Sequence, residues 1–205
     1  MKIIVAESVD RYNKTGQNTL DIIKSCPRMW MKADSALLTH GKPMFKPDFT
    51  SEMSGVPYLA LRISRMGKSI ASRFAHRYYD AVGVAVDFTA EDVLRQLKKE
   101  GEPWEKAKSF DGSVCMGGWL ELGDANNLTG IEISLSVNGE ERSTAVVDNL
   151  QEEVGRVIEG VSRFFTIRQG DILLYGKPAD KALVEVNDHI TGLLNGQVLT
   201  EFNIK

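Results

Sequence analysis

The stretch IEISLSVNG, residues 131–139, constrains the fold of this chain more than any other segment. Its apolar residues alternate with other residues: Ile131, Ile133, Leu135 and Val137. This two-residue period is typical of a strand with one buried face. Asn138-Gly139 follows at once, and this dipeptide is the strongest short-range signal for a β-hairpin. The segment therefore predicts a strand and a hairpin turn in an antiparallel sheet.

Similar patterns predict more strands and a few helices. The predicted strands are YLALRI (58–63), VGVAVDF (82–88), DILLYG (171–176), ALVEV (182–186) and QVLTEFNI (197–204). The predicted helices are residues 67–82, a segment that starts at Thr89 and ends near Gly101, and residues 146–165, whose apolar residues form one stripe. Residues 1–50 are irregular and predict a small loop-rich N-terminal part, followed by a main domain over 51–205. The fold class is α+β, mainly β.

Composition narrows the function. The chain has 205 residues and a formal charge of −3, so it lacks the positive charge that nucleic acid or an anionic membrane attracts. No apolar run is long enough for a membrane span, and a cytoplasmic location is expected. Cys26 and Cys115 have no metal-ligand or disulfide spacing and are expected to be reduced.

Carboxylates cluster in GVAVDFTAED, residues 83–92. Glu91 and Asp92 would lie in the first turn of the helix starting at Thr89, where negative charge is favourable. Asp87 has no such explanation, and it would lie near the end of a strand. The other polar candidates are weaker. His40, His76 and His189 are not spaced as a ligand cluster, so surface or ion-paired roles are expected. The Gly-rich loop 104–120 could line a site or simply make turns.

Several of these segments, read in order, resemble the fumarylacetoacetate hydrolase family. They are FAHRYYDAVGVAVDFTAED, WEKAKSFDGS with GGWL, ISLSVNGE, SRFFTIRQGDILLYGKP and GLLNGQVLTEF. The resemblance implies a mixed β-sandwich roll, usually homodimeric. It implies Mg²⁺ or Mn²⁺ held by three carboxylates, and cleavage, decarboxylation or isomerisation of small oxo-acids. An acid-base pair of His and Glu on an N-terminal lid would activate water.

Carried over by position, the resemblance is incomplete. Asp87 matches the family's metal-binding Asp, and Lys108 matches its active-site Lys. The two metal-binding glutamates fall on Val56 and Tyr58, which offer no carboxylate. The remaining replacements are Tyr12 and Thr15 at the lid His and Glu, Glu91 at an arginine, and Leu94 at a glutamine. The family's TGTP substrate loop is YGKP here, which gives Tyr175, Gly176 and Lys177 as substrate-binding candidates.

These replacements suggest a family member that has lost metal-dependent catalysis, with no cofactor expected. Two alternatives stay open: a metal-independent enzyme on a small oxo-acid, and a non-catalytic partner subunit of an active paralogue. Glu91 could also supply a replacement carboxylate, although the start of a helix explains it better. We expect a homodimer, and we expect Lys108 to form an ion pair with Asp87 in place of the missing cation.

Overall fold

A computed structural model of the protein describes residues 1–7, 26–39, 41–123, 129–176 and 180–205. Its strands are β1 (Ile3–Glu7), β2 (Arg28–Lys32), β3 (Leu37–Thr39), β4 (Met53–Ile63), β5 (Tyr79–Ala90), β6 (Val114–Met116), β7 (Leu120–Glu121), β8 (Thr129–Val137), β9 (Glu140–Asn149), β10 (Ile172–Gly176), β11 (Ala182–Val184), β12 (His189–Leu194) and β13 (Gln197–Asn203). Its α-helices are α1 (Glu91–Glu100), α2 (Glu105–Lys108) and α3 (Leu150–Phe164). The fold is α+β and mainly β, as the sequence predicts.

The strands of the described residues form two sheets. The larger has the order β2-β1-β10-β4-β5-β6-β3, with β11 also paired to β4 and β7 to β5. The smaller has the order β13-β12-β8-β9. The main core fills the space between the sheets and α3, and its members come from β4, β5, β8 and α3: Leu59, Leu61, Val82, Val84, Ile131, Ile133, Val154 and Ile158. Strands β1, β2 and β3, all within residues 1–50, belong to the larger sheet.

Strand β5 shows how the larger sheet presents two buried faces. Val84 and Val86 face the two clusters between the sheets, whereas Ala85 lies in a separate cluster with Val56 and Tyr58 on the opposite face. This second face is covered by the larger sheet's own residues, so the sheet curls. In a flat sheet β2 and β5 would be about 19 Å apart, four strand spacings of about 4.8 Å. A side chain of β2 nevertheless touches one of β5, as described below.

The strand predictions are confirmed closely. Residues 131–137 lie in β8, and the hairpin turns at Asn138 and Gly139, both of which have positive φ. Residues 58–63 and 82–88 lie within β4 and β5, which pair antiparallel. For the segment 182–186 the strand is shorter than predicted and ends at Val184.

The helix predictions need three corrections. Residues 67–82 form a short 3-10 turn over Ser72–Arg77, and β5 begins at Tyr79 because pairing with β4 overrides the helical period. The helix predicted over 146–165 starts at Leu150, since 146–149 extend β9 as far as the Asn149 cap. Helix α1 starts at Glu91, and Ala90 holds the N-cap position with no side-chain cap. The helix does end at Gly101, in the left-handed conformation.

Within the described residues, no helix is long and apolar enough to cross a membrane.

Candidate active site

The residues matched to the family's metal ligands lie together on the second face of the larger sheet. In the β4–β5 register Val56 is directly opposite Asp87, and Ser54 is opposite Thr89. Tyr58 is two residues from Val56 and therefore projects on the same side. The backbone thus brings these positions together, and their side chains decide what the site can bind.

A buried ion pair occupies the centre of this site. The ammonium group of Lys32, on β2, contacts the carboxylate of Asp87, on β5, and their side chains are 0% and 2% exposed. The ammonium also donates to the Ser113 hydroxyl at 3.0 Å and approaches the carbonyl oxygens of Phe88 and Ser113, each at 3.4 Å. Burial lowers the pKa of Lys32, and the Asp87 carboxylate opposes that effect. The negative charge of Asp87 is therefore balanced within the chain.

Lys108 does not take this place, contrary to the sequence-based prediction. Its ammonium donates to the Thr89 hydroxyl at 3.2 Å and lies 4.3 Å from the centre of the Trp30 ring. The predicted ion pair between Lys108 and Asp87 is wrong. The ammonium of Lys32, from β2 on the other side of the curled sheet, contacts that carboxylate instead. Lys108 remains beside the site, at the end of α2.

The side chain of Tyr58 is engaged elsewhere. Its hydroxyl donates to Glu7 at 2.8 Å, and Glu7 is also 3.3 Å from the Arg28 guanidinium. Burial, reinforced by the charges of Asp87 and Glu7, raises the pKa of Tyr58 well above its usual range. The phenol therefore stays neutral and offers no anionic oxygen.

Glu91 is also satisfied by neighbours. Its carboxylate accepts hydrogen bonds from the Ser54 hydroxyl and from the Lys181 ammonium, each at 2.6 Å. Burial raises the pKa of Glu91, but the contacts with Lys181 and Ser54 outweigh burial, so the pKa lies below its usual value. Glu91 thus serves as the counter-ion of Lys181.

These residues do not fit a Mg²⁺ or Mn²⁺ site. Such ions need several oxygen ligands, usually carboxylates and water. Here one matched position is an aliphatic Val56, the second a neutral Tyr58, and the third an Asp87 already paired with Lys32. Across the described part of the chain, no three His, Cys, Asp or Glu side chains come together as ligands.

The predicted substrate loop is only partly described. Tyr175 is 2% exposed, lies in the core cluster beside α3, and donates its hydroxyl to Glu153 at 2.5 Å. Its side chain is therefore on the face opposite Asp87, contrary to the expectation that it contacts substrate. Gly176 pairs with Glu7 at the end of β10. Lys177 lies outside the described residues, as do Tyr12, Thr15 and His40.

The other candidate residues from the sequence lie outside the group around Asp87. His189 pairs with Glu201 through Nε2 at 3.0 Å, and His76 lies in the 3-10 turn. Cys26 and Cys115 are buried free thiols. The loop 104–120 contributes α2 and β6, and its first residues line a cavity of about 170 Å³ beside Lys108.

Lys32 is the residue that sequence reasoning missed. Its surroundings, RMWMKA, gave a signal: one lysine directly follows a run of large apolar residues in a predicted-irregular region. A lysine in such a position is rarely buried without an anionic partner. Asp87 was the unexplained carboxylate, so the two could have been paired.

Comparison with known proteins gives a consistent assignment. The sequence profile of the family "Fumarylacetoacetate (FAA) hydrolase C-terminal" matches residues 5–200. The chain is 30% identical over 179 residues to oxaloacetate tautomerase fahd-1 of Caenorhabditis elegans, which covers 87% of this chain and 84% of that protein. It is 32% identical over 178 residues to oxaloacetate tautomerase YcgM of Escherichia coli, which covers 85% of this chain and 80% of that protein.

Solved structures agree on the fold. The chain is similar to the structure of a putative fumarylacetoacetate hydrolase family protein from Yersinia pestis, with a TM-score of 0.82 and 29% sequence identity. The match covers 100% of this chain and 92% of the Yersinia chain. A fumarylpyruvate hydrolase from Pseudomonas aeruginosa, solved with Mn²⁺ and pyruvate, has a TM-score of 0.83, 22% identity, and coverage of 100% and 89%, and it supports the fold alone. With a profile match over almost its whole length and relatives at 30% and 32% identity, this chain belongs to the fumarylacetoacetate hydrolase family.

Proposed function

We propose that this protein is a family member that has lost metal-dependent chemistry on small oxo-acids. The observation that carries the proposal is the buried Lys32–Asp87 pair, which places a cation of the chain against the one matched carboxylate that remains. An ammonium ion has one positive charge and donates hydrogen bonds. It balances a buried carboxylate, but it cannot accept two substrate oxygens as ligands in the way a divalent cation does.

The charges around the pair support the same proposal. Glu91 is neutralised by Lys181, and Tyr58 stays a neutral phenol bound to Glu7. No acid-base pair is formed by these groups, because each carboxylate already has a partner that fixes its charge. In this proposal three of the positions matched to the family's chemistry, Tyr58, Asp87 and Glu91, serve as internal contacts that stabilise the fold.

Calorimetric titration with Mn²⁺ and Mg²⁺ tests the proposal. We expect no saturable binding below millimolar concentration, and no metal-dependent tautomerisation of oxaloacetate or cleavage of fumarylpyruvate above the uncatalysed rate. The matched variant is Val56→Glu with Tyr58→Glu, which restores two carboxylates around Asp87 and should gain Mn²⁺ binding. Stoichiometric binding by the unaltered protein, or metal-dependent turnover, would contradict the loss.

A second candidate function rests on Lys108. Its ammonium lies beside the site, and within the described residues it makes no ion pair with a carboxylate. A metal-independent site for a small oxo-acid anion would use this charge to bind the carboxylate or to stabilise an enolate. Lys108→Met should then abolish binding or turnover of such an acid, with or without chelator. Lys106→Met, on the same helix with a side chain 75% exposed, is the control.

A homodimer also belongs to this proposal, on the basis of the family resemblance, and so does a cytoplasmic location, on the basis of the short apolar runs of the sequence. Light scattering coupled to gel filtration tests the first. A mass near 45 kDa, twice the 22.7 kDa of the chain, is expected. A monomer at micromolar concentration would contradict it.

A further inference from the structure

A small aromatic cavity lies beside Lys108. Its volume is about 170 Å³, below the roughly 300–1,000 Å³ of pockets for drug-sized ligands. Its lining comes from the end of β2 and from the segment around α2: Trp30, Met31, Pro103, Trp104, Lys108 and Ser109, with the exposed Glu105 at the same cavity. Two indole rings, a proline and a methionine make most of this lining apolar.

The charges nearby favour an anion. In the described part of the site, the ammonium groups of Lys32 and Lys181 are each paired with a carboxylate, and the ammonium of Lys108 is not. The ammonium of Lys108 instead donates a hydrogen bond to the Thr89 hydroxyl and lies over the face of the Trp30 ring. An ammonium so placed keeps donors available for a carboxylate, and a carboxylate is the group that an oxo-acid presents.

One residue that lines the cavity, Trp104, is more exposed to solvent than is usual for tryptophan. Trp104 precedes α2, and it is 48% exposed although it is a large aromatic residue. Lys98, in the last turn of α1, lies 5.2 Å from its ring centre and helps to hold it. An exposed indole that shares a cavity with a second indole presents a surface on which a flat apolar group gains contact area when it binds.

We propose that this cavity binds a small monocarboxylate with an aromatic or other flat apolar body, its carboxylate on Lys108 and its body between Trp30 and Trp104. The inference rests on the second function proposed above and names its ligand class. Short, dianionic oxo-acids should bind less well, because their second carboxylate would contact the apolar walls and be repelled by Glu105.

Calorimetry with three matched probes tests the inference: phenylacetate, acetate, and the uncharged 2-phenylethanol. Phenylacetate should bind at least about tenfold more tightly than either of the others, the lower end for adding one well-buried group. Trp104→Ala should remove the advantage of phenylacetate over acetate. Lys108→Met should remove its advantage over 2-phenylethanol, and Lys108→Arg should retain most of it. Lys106→Met should change neither.

Each possible result has a definite meaning. Equal affinity for acetate and phenylacetate, both lost in Lys108→Met, would overturn the ligand class and leave the carboxylate site standing. Absence of binding by all three probes would overturn both. Binding unaffected by Trp104→Ala and Lys108→Met would place the ligand elsewhere and also refute the inference. Circular dichroism and urea unfolding establish that each variant is folded before its titration is read.

Discussion

Removing either partner of the buried Lys32–Asp87 pair should destabilise the protein strongly, and the costs of removing the two partners should not add. Lys32→Met leaves the Asp87 carboxylate buried without a counter-ion, which costs about 3–5 kcal/mol. For a chain of 205 residues this corresponds to a fall in Tm of about 6–20 °C. The Ser113 hydroxyl also loses the donor that lies 3.0 Å away, so the upper half of the range is expected.

The double variant Lys32→Met with Asp87→Asn leaves no buried charge at this position. Its cost should be smaller than the sum of the two single costs by about 1–3 kcal/mol, the usual coupling between residues in contact. Equilibrium urea unfolding of the four proteins, with far-ultraviolet circular dichroism and fluorescence giving one common transition, measures this coupling. Additivity within about 0.5 kcal/mol would refute the ion pair. The exposed Arg95–Glu52 pair provides a comparison cycle, for which no coupling of this size is expected.

Three further predictions follow from the same structure. Burial lowers the pKa of Lys32 below its ordinary value of 10.5, so the unfolded chain binds more protons between the two pKa values. The free energy of unfolding of the unaltered protein should therefore rise between neutral pH and about pH 10, and it should rise less in the double variant. Urea unfolding repeated at a series of pH values measures the difference. Gly117→Ala should cost about 1–3 kcal/mol or more in urea unfolding, because its Cβ would lie 1.9 Å from the Leu199 carbonyl oxygen. Gly118→Ala meets nothing within 4 Å and should cost much less. Burial raises the pKa of Cys115 far above its usual value, so its thiol should react with a disulfide reagent only after unfolding, and rapid native labelling would contradict this.

The strands could be predicted from sequence because their signals are local. In β8 the alternation of Ile131 and Ile133 with polar residues, followed by Asn138-Gly139, needs no distant partner to be recognised. Helix α3 was found for the same reason, although its first turn was misplaced. The segment before β5 has the sequence pattern of a helix without forming one, since Ile70, Phe74 and Tyr78 have helical spacing. Its backbone instead includes Ser69 at a φ of 51°, which a helix does not allow.

The proximity of the residues matched to the family's metal ligands was predictable, whereas their contacts were not. Val56, Tyr58 and Asp87 were brought together from the family resemblance, and the β4–β5 register places the first directly opposite the third. The partner of Asp87 depends on the curl of the sheet, which carries β2 over β5. That curl is a property of the whole sheet, and no local spacing between residues 32 and 87 encodes it. Tyr175 was misplaced because the resemblance gives a loop but not the face on which each side chain lies.

The absence of carboxylates at Val56 and Tyr58 and the burial of Asp87 are linked through electrostatics. A carboxylate buried in an apolar site is costly unless a cation is paired with it, so a chain that keeps Asp87 gains stability when it supplies one. Lys32 does so from within the fold, with hydrogen bonds to Ser113 and β5 that hold its ammonium in place. Because this cation is covalently part of the chain, chelators should leave the unfolding free energy of the protein unchanged.

The Val56→Glu, Tyr58→Glu variant gives the contrast, since three carboxylates around one ammonium leave excess negative charge. Its unfolding free energy should fall without metal and recover with added Mn²⁺. A variant whose stability is indifferent to Mn²⁺ would show that carboxylates at positions 56, 58 and 87 are not sufficient to form a metal site.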